Sequence, residues 1–117
     1  MKTKRFHIIC DLANCNAKIN DPAAIKDFLT NLVKEVNMSI LDGPMIAEGI
    51  PENPGYTALV IIDFSHLSVH TFTKYDEALI DLFSCKPYDK QKVLDYCTNF
   101  FGVKEEDARI KEVWWGE

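Results

Sequence analysis

No two of the four cysteines, Cys10, Cys15, Cys85 and Cys97, stand at Cys-x-x-Cys spacing. That argues against a zinc knuckle or a disulfide framework and leaves four thiols in a reducing compartment. No apolar run reaches membrane-spanning length, and the Lys-rich start lacks an apolar signal core, so the expectation is a cytoplasmic protein without a membrane partner. Positive charge is also scarce. Lys and Arg number 13 against 18 Asp and Glu, a net charge of −5 with no basic cluster, which argues against nucleic acid as a partner. With 5 Gly and 5 Pro in 117 residues there is no low-complexity tract or linker, and there is no internal repeat. The 47% hydrophobic content suffices for one core, so residues 1–117 read as a single domain.

What is present begins with a strand pattern over 6–12 and a polar connection over 13–20. Asp21 followed by Pro22 is a helix start, and Ile25, Phe28, Leu29, Leu32, Val33 and Val36 recur at helical spacing up to Asn37. Residues 38–41 read as extended, interrupted by an Asp42-Gly43-Pro44 turn and continued over 45–48. A Pro- and Gly-bearing loop over 49–55 leads to the apolar, β-branched run 58–63. Past Ser65, polar His66, Ser68 and His70 alternate with Leu67 and Val69, the period-two pattern of a strand with one face on a core. Ser65 therefore falls at the junction of two strands. A turn at 74–76 precedes 77–85, where periodicity alone fits helix or strand. Asp89 caps a second helix carrying Val93, Leu94, Cys97, Phe100 and Phe101, Gly102 stops it, and a last strand runs over 108–115. This order predicts an α+β fold, a mainly antiparallel sheet with two helices on one face.

The stretch with the most chemistry is Ser65 to Thr71, answered by Phe83-Ser84-Cys85. A serine hydroxyl at a strand junction can attack the carbonyl of the residue before it. Here that converts the Phe64-Ser65 peptide to an ester, whose β-elimination cuts the chain and leaves residue 65 as a pyruvoyl group. His70 is placed to move protons or to donate to the oxyanion. The pyruvoyl carbonyl then takes an amino-acid substrate as a Schiff base and draws electrons for decarboxylation, and Cys85 returns a proton to the α-carbon. A Ser-x4-His-x14-Cys pattern is also met by chance on the wet face of a strand. His66 and His70 lie about 13 Å apart along one strand, so no metal is expected. His7 reads as structural.

The segment Ser65-His66-Leu67-Ser68-Val69-His70-Thr71, followed by Asp81-Leu82-Phe83-Ser84-Cys85, resembles the processing site of the short prokaryotic S-adenosylmethionine decarboxylases. Arg5 to Leu12, Cys15, Asn20-Asp21 and Pro54 to Ala58 extend the likeness over most of the chain. The resemblance implies that Ser65 is the pyruvoyl precursor, His70 the processing acid/base and Cys85 the proton donor. It also implies a strand over 77–85 and a homodimer whose active sites draw on both subunits. The function implied is self-cleavage at Phe64-Ser65 of a zymogen, then decarboxylation of S-adenosylmethionine or a related amino acid in polyamine (spermidine) biosynthesis.

The departures cluster in recognition. Phe64 and Lys74 stand where the family has glutamates, and Lys86 stands where it has glycine. A lysine has no acceptor for ribose hydroxyls. Ile50-Pro51-Glu52 lacks the family's adenine-stacking aromatic, leaving Tyr56 and Phe72, with His66, Ser68 and Lys74, as candidate substrate contacts. Phe64 also keeps open a second reading, a non-processing homologue serving as a binding or regulatory protein.

Overall fold

The computed structural model describes residues 3–115. Strand β1 (Phe6–Leu12) is followed by a 3-10 turn (Ala17–Asn20) and helix α1 (Pro22–Glu35). Four strands come next: β2 (Ile40–Glu48), β3 (Tyr56–Ile62), β4 (Ser65–Phe72) and β5 (Glu77–Ser84). Helix α2 (Lys90–Phe101) and strand β6 (Ala108–Val113) complete the order. The six strands form one sheet, β2-β3-β4-β5-β1-β6, antiparallel at every pairing. Among the described residues no helix is long and apolar enough to cross a membrane.

Helix α1 starts where the sequence predicts. The Asp21 carboxylate accepts from the Ala23 and Ala24 amides at 3.1 and 3.2 Å, satisfying two orphan donors of the first turn. Asp89 does the same for α2 through Gln91 and Lys92, and Gly102 closes it at φ +64°. Both helices lie on one face of the sheet, against the alternate strand residues that are buried: Ile8 and Cys10 of β1, Val60 of β3, Leu67 and Val69 of β4, Ile80 and Leu82 of β5. Phe28 lies at the centre, its ring 4.9 Å from that of Phe101 and 5.3 Å from that of Tyr96. Truncation there removes a fully buried aromatic that three rings pack against. Phe28→Ala is therefore expected to lower the unfolding free energy by about 3–5 kcal/mol, read from the urea midpoint of the variant against the parent protein.

Several sequence expectations are refined. Asp42-Gly43-Pro44 does not break the chain into two segments: β2 runs through it, and the pairing with β3 shifts register on either side. The connection over 13–20 contains the 3-10 turn, capped by the Asn16 side chain accepting from Lys18 N–H at 3.0 Å. The 77–85 segment is a strand that ends at Ser84, so Cys85 stands just beyond it, and β6 ends at Val113. Loop 49–55 is pinned to the end of β4 at Gly55, whose φ is +139°; a Cβ there would meet the Thr71 carbonyl oxygen at 1.9 Å.

Candidate active site

Strands β3 and β4 are joined by a two-residue turn, Asp63-Phe64, with Ile62 opposite Ser65. Two separate segments hold this turn. Asp63 exchanges two hydrogen bonds with Ser39: its amide donates to the Ser39 carbonyl at 3.0 Å and its carboxylate accepts the Ser39 amide at 3.1 Å. On the other side Ser65 faces Ser84 of β5. Ser65 has φ +148°, a region that side-chain-bearing residues rarely occupy and that costs about 1–3 kcal/mol. The strained residue is the one the sequence marks as nucleophile.

The carbonyl ahead of it is polarised. The Cys85 amide donates to the Phe64 oxygen at 3.0 Å, and the Cys85 thiol donates to the same oxygen at 3.5 Å. Cys85 is held there by its neighbour. The fully buried Ser84 hydroxyl accepts the Lys86 amide and donates to the Lys86 carbonyl, both at 2.9 Å, closing a small loop that projects residue 85 toward the turn. Ser84 is thus a positioning residue that strand periodicity alone does not reveal. Phe64 and Cys85 share a shallow cavity of about 520 Å3 with Thr3, Lys4, Phe6 and Pro87.

The four thiols separate by environment. Cys85 is exposed, whereas Cys10, Cys15 and Cys97 are buried. Burial pushes the Cys15 thiol up to about 11, and a hydrogen bond to Cys10, then burial, raises Cys97. Neither is a source of thiolate at neutral pH.

His66, Ser68, His70 and Phe72 share the sheet face opposite the helices. His70 pairs with Thr57 across the strands, and its Nδ1 lies 3.2 Å from the Thr57 hydroxyl. Thr57 was not a candidate from the sequence; only the register places it under the imidazole. Counting along β4, His70 is about 16 Å from Ser65. Tyr56, Phe72 and Lys74 lie farther still, at the opposite end of the strand, where Phe72 pairs with Glu77 and Lys74 sits 5.6 Å over the Tyr75 ring. The candidate residues therefore divide into two groups, Phe64, Ser65 and Cys85 at one end, His70, Tyr56, Phe72 and Lys74 toward the other. His66 stacks on Phe83 beside the first group, with ring centroids 5.7 Å apart. His7 is structural as read: one ring nitrogen meets Asp81 at 2.7 Å and the other accepts Trp115 Nε1–H at 2.8 Å.

Fold and site together define a two-layer α+β fold that presents a serine at φ +148° directly after a doubly hydrogen-bonded carbonyl. The profile of the family S-adenosylmethionine decarboxylase matches residues 6–113, and the chain belongs to that family. It is similar to the S-adenosylmethionine decarboxylase proenzyme of Sulfurihydrogenibium, 31% identical over 114 residues that cover 95% of this chain and 83% of that protein. Likeness to the proenzyme of Thermodesulfovibrio yellowstonii is 35% over 82 residues, covering 68% of this chain and 57% of that one. The crystal structure of the Aquifex aeolicus adenosylmethionine decarboxylase superposes with a TM-score of 0.78 at 26% identity, over 97% of this chain and 91% of the other.

Proposed function

We propose that this chain is a proenzyme of a cytoplasmic pyruvoyl-dependent decarboxylase, cutting itself between Phe64 and Ser65. Its substrate is S-adenosylmethionine or a related amino acid on the route to spermidine. The observation that carries the reading is the Phe64 carbonyl, bound by two donors from Cys85 immediately before a serine at φ +148°. Attack by Ser65 Oγ on the Phe64 carbonyl carbon places negative charge on an oxygen that already has its donors, so little reorganisation precedes the charge. Release of the strained φ adds to the drive. The pyruvoyl group so made at residue 65 supplies an electron sink for loss of carbon dioxide from an amino acid. Cys85, exposed beside it, donates the proton that the α-carbon then takes.

Proton transfer at Ser65 needs a base that β4 itself holds about 16 Å away. A homodimer resolves this. The open sheet face carries Leu59 and Ile61, 39% and 46% exposed, in the same face as His66, Ser68 and His70. Burying that face against a second copy, related by two-fold symmetry, would bring the His70 of one chain to the Ser65 of the other. Thr57 would hold the imidazole in orientation. Lys74 would then reach the substrate of the opposite chain, where it can donate to an oxygen but cannot accept the protons that ribose hydroxyls donate.

Complementation tests this. Ser65→Ala and His70→Ala should each fail to cleave, while coexpression should cleave about half of the His70→Ala chains, the fraction that random pairing places in mixed dimers. A cleaving parent protein with silent mixtures would contradict the shared site. The second reading, a non-processing binding protein, is favoured by Phe64, which leaves no carboxylate beside the reacting peptide, and it predicts an uncleaved parent protein.

A further inference from the structure

Self-cleavage by the proposed route creates a charge that the uncut chain does not have. The Ser65 ester is broken when a base removes the proton from the residue 65 α-carbon. The Cβ–O bond then breaks, and Phe64 departs as a carboxylate. The dehydroalanine left behind becomes an imine, which takes up water and releases ammonia. One water is consumed and one ammonia leaves, with no oxidant or reductant. The group that must be stabilised in the elimination is therefore a carboxylate at Phe64.

The surroundings of Phe64 are cationic. Lys86 Nζ lies 5.3 Å over the Phe64 ring, and one of its N–H groups donates to the Asn37 carbonyl at 2.8 Å. A lysine has three such donors, so two remain. Lys4 lines the cavity that Phe64 and Cys85 share, and among the described residues none that lines it carries a carboxylate. The one acid in the turn, Asp63, is turned to the Ser39 amide. The Phe64 carbonyl itself is tied to the Cys85 amide, one residue before Lys86. Three elements thus converge: the α1–β2 connection at Asn37, the β3–β4 turn and the β5–α2 connection.

We infer that Lys86 is the counter-ion of the Phe64 carboxylate, lowering the barrier to its departure from the Ser65 ester and holding the cut end in place. The inference rests on the proposed self-cleavage and assigns a use to the lysine that follows Cys85. Phe64 fits the same scheme, because its ring gives the ammonium a face to rest on before cleavage and adds no second negative charge after it.

The test follows the first hours after synthesis in the parent protein, Lys86→Met and Lys86→Arg, by denaturing mass spectrometry with and without hydroxylamine, which cuts esters and spares amides. Lys86→Met should complete cleavage about tenfold more slowly, a modest share of what a removed oxyanion donor costs, and should accumulate hydroxylamine-labile chain. Lys86→Arg should restore most of the rate without accumulated ester. Because Lys86 meets Ser84 only through its backbone, the loop that places Cys85 is kept in both variants, and Lys86→Met gives up an exposed bond to the Asn37 carbonyl and the contact over the Phe64 ring, so both should remain folded, as the melting temperature reads. Cleavage of Lys86→Met at the parent rate would overturn the inference, as would slow cleavage with no labile ester. A parent protein that never cleaves would instead overturn the self-cleavage on which it rests.

Discussion

Ser65→Ala is expected to abolish cleavage outright, leaving one full-length chain however long the protein is incubated. The two serines nearest to Ser65 on β4 and β5 are not placed to substitute. Ser84 Oγ is buried and tied to both main-chain groups of Lys86, and Ser68 lies on the open sheet face opposite Asp81 and Leu59, three residues away along β4. Alanine retains the main-chain bonds that pin the turn, Asp63 to Ser39 and Phe64 to Cys85, so the variant should fold with the parent's melting temperature. Loss of the Ser65 hydroxyl, in an intact fold, separates nucleophilic cleavage from adventitious proteolysis. Cleavage of Ser65→Ala at the same bond would remove the assignment of Ser65.

Cys85→Ala should split the two activities. The scissile carbonyl keeps the Cys85 main-chain donor at 3.0 Å and loses only the longer thiol contact at 3.5 Å, so cleavage slows but proceeds. Turnover loses its proton donor, and the decarboxylation rate should fall by about 10²–10⁴, the usual contribution of a positioned acid. Mass spectrometry reads the first and carbon dioxide release the second. Equal losses in both would mean that the thiol serves only the cleavage chemistry. Unchanged turnover would move the proton donor elsewhere, and the other three cysteines, all buried, offer no replacement.

Much of this was legible in the sequence because the local signals agreed with one another. Asp21-Pro22 and the 3-4 spacing of Ile25, Phe28, Leu29, Leu32 and Val33 leave α1 little freedom, and alternation from His66 to Thr71 fixes which side of β4 is wet. The turn over 42–44 misled for a physical reason. Asp-Gly-Pro carries turn chemistry, but in this sheet the pairing with β3 resumes beyond it, with Gly43 so close to β3 that a Cβ would stand 3.1 Å from the Leu59 oxygen. Tertiary pairing outweighed local preference there.

The geometry of the candidate site was half legible. Ser65, His70 and Cys85 could be named from the sequence, but their separation into two ends of β4 depends on Ser65 and His70 lying along one unbroken strand, and the Cys85 contact with Phe64 spans 21 residues. The φ of Ser65 has no sequence signature, because serine ordinarily avoids that region. The parts of Thr57 and Ser84 were invisible for a related reason: Thr57 acts through a hydrogen bond set by strand register, and Ser84 through two set by a single loop.

The most direct test of self-cleavage is the intact mass of freshly purified protein under denaturing conditions. Two fragments are predicted, 1–64 and 65–117, the second lighter than a serine-terminated chain by the elements of ammonia, as a pyruvoyl end requires. A single full-length mass that persists through long incubation would contradict the account and leave a binding protein built on a decarboxylase fold.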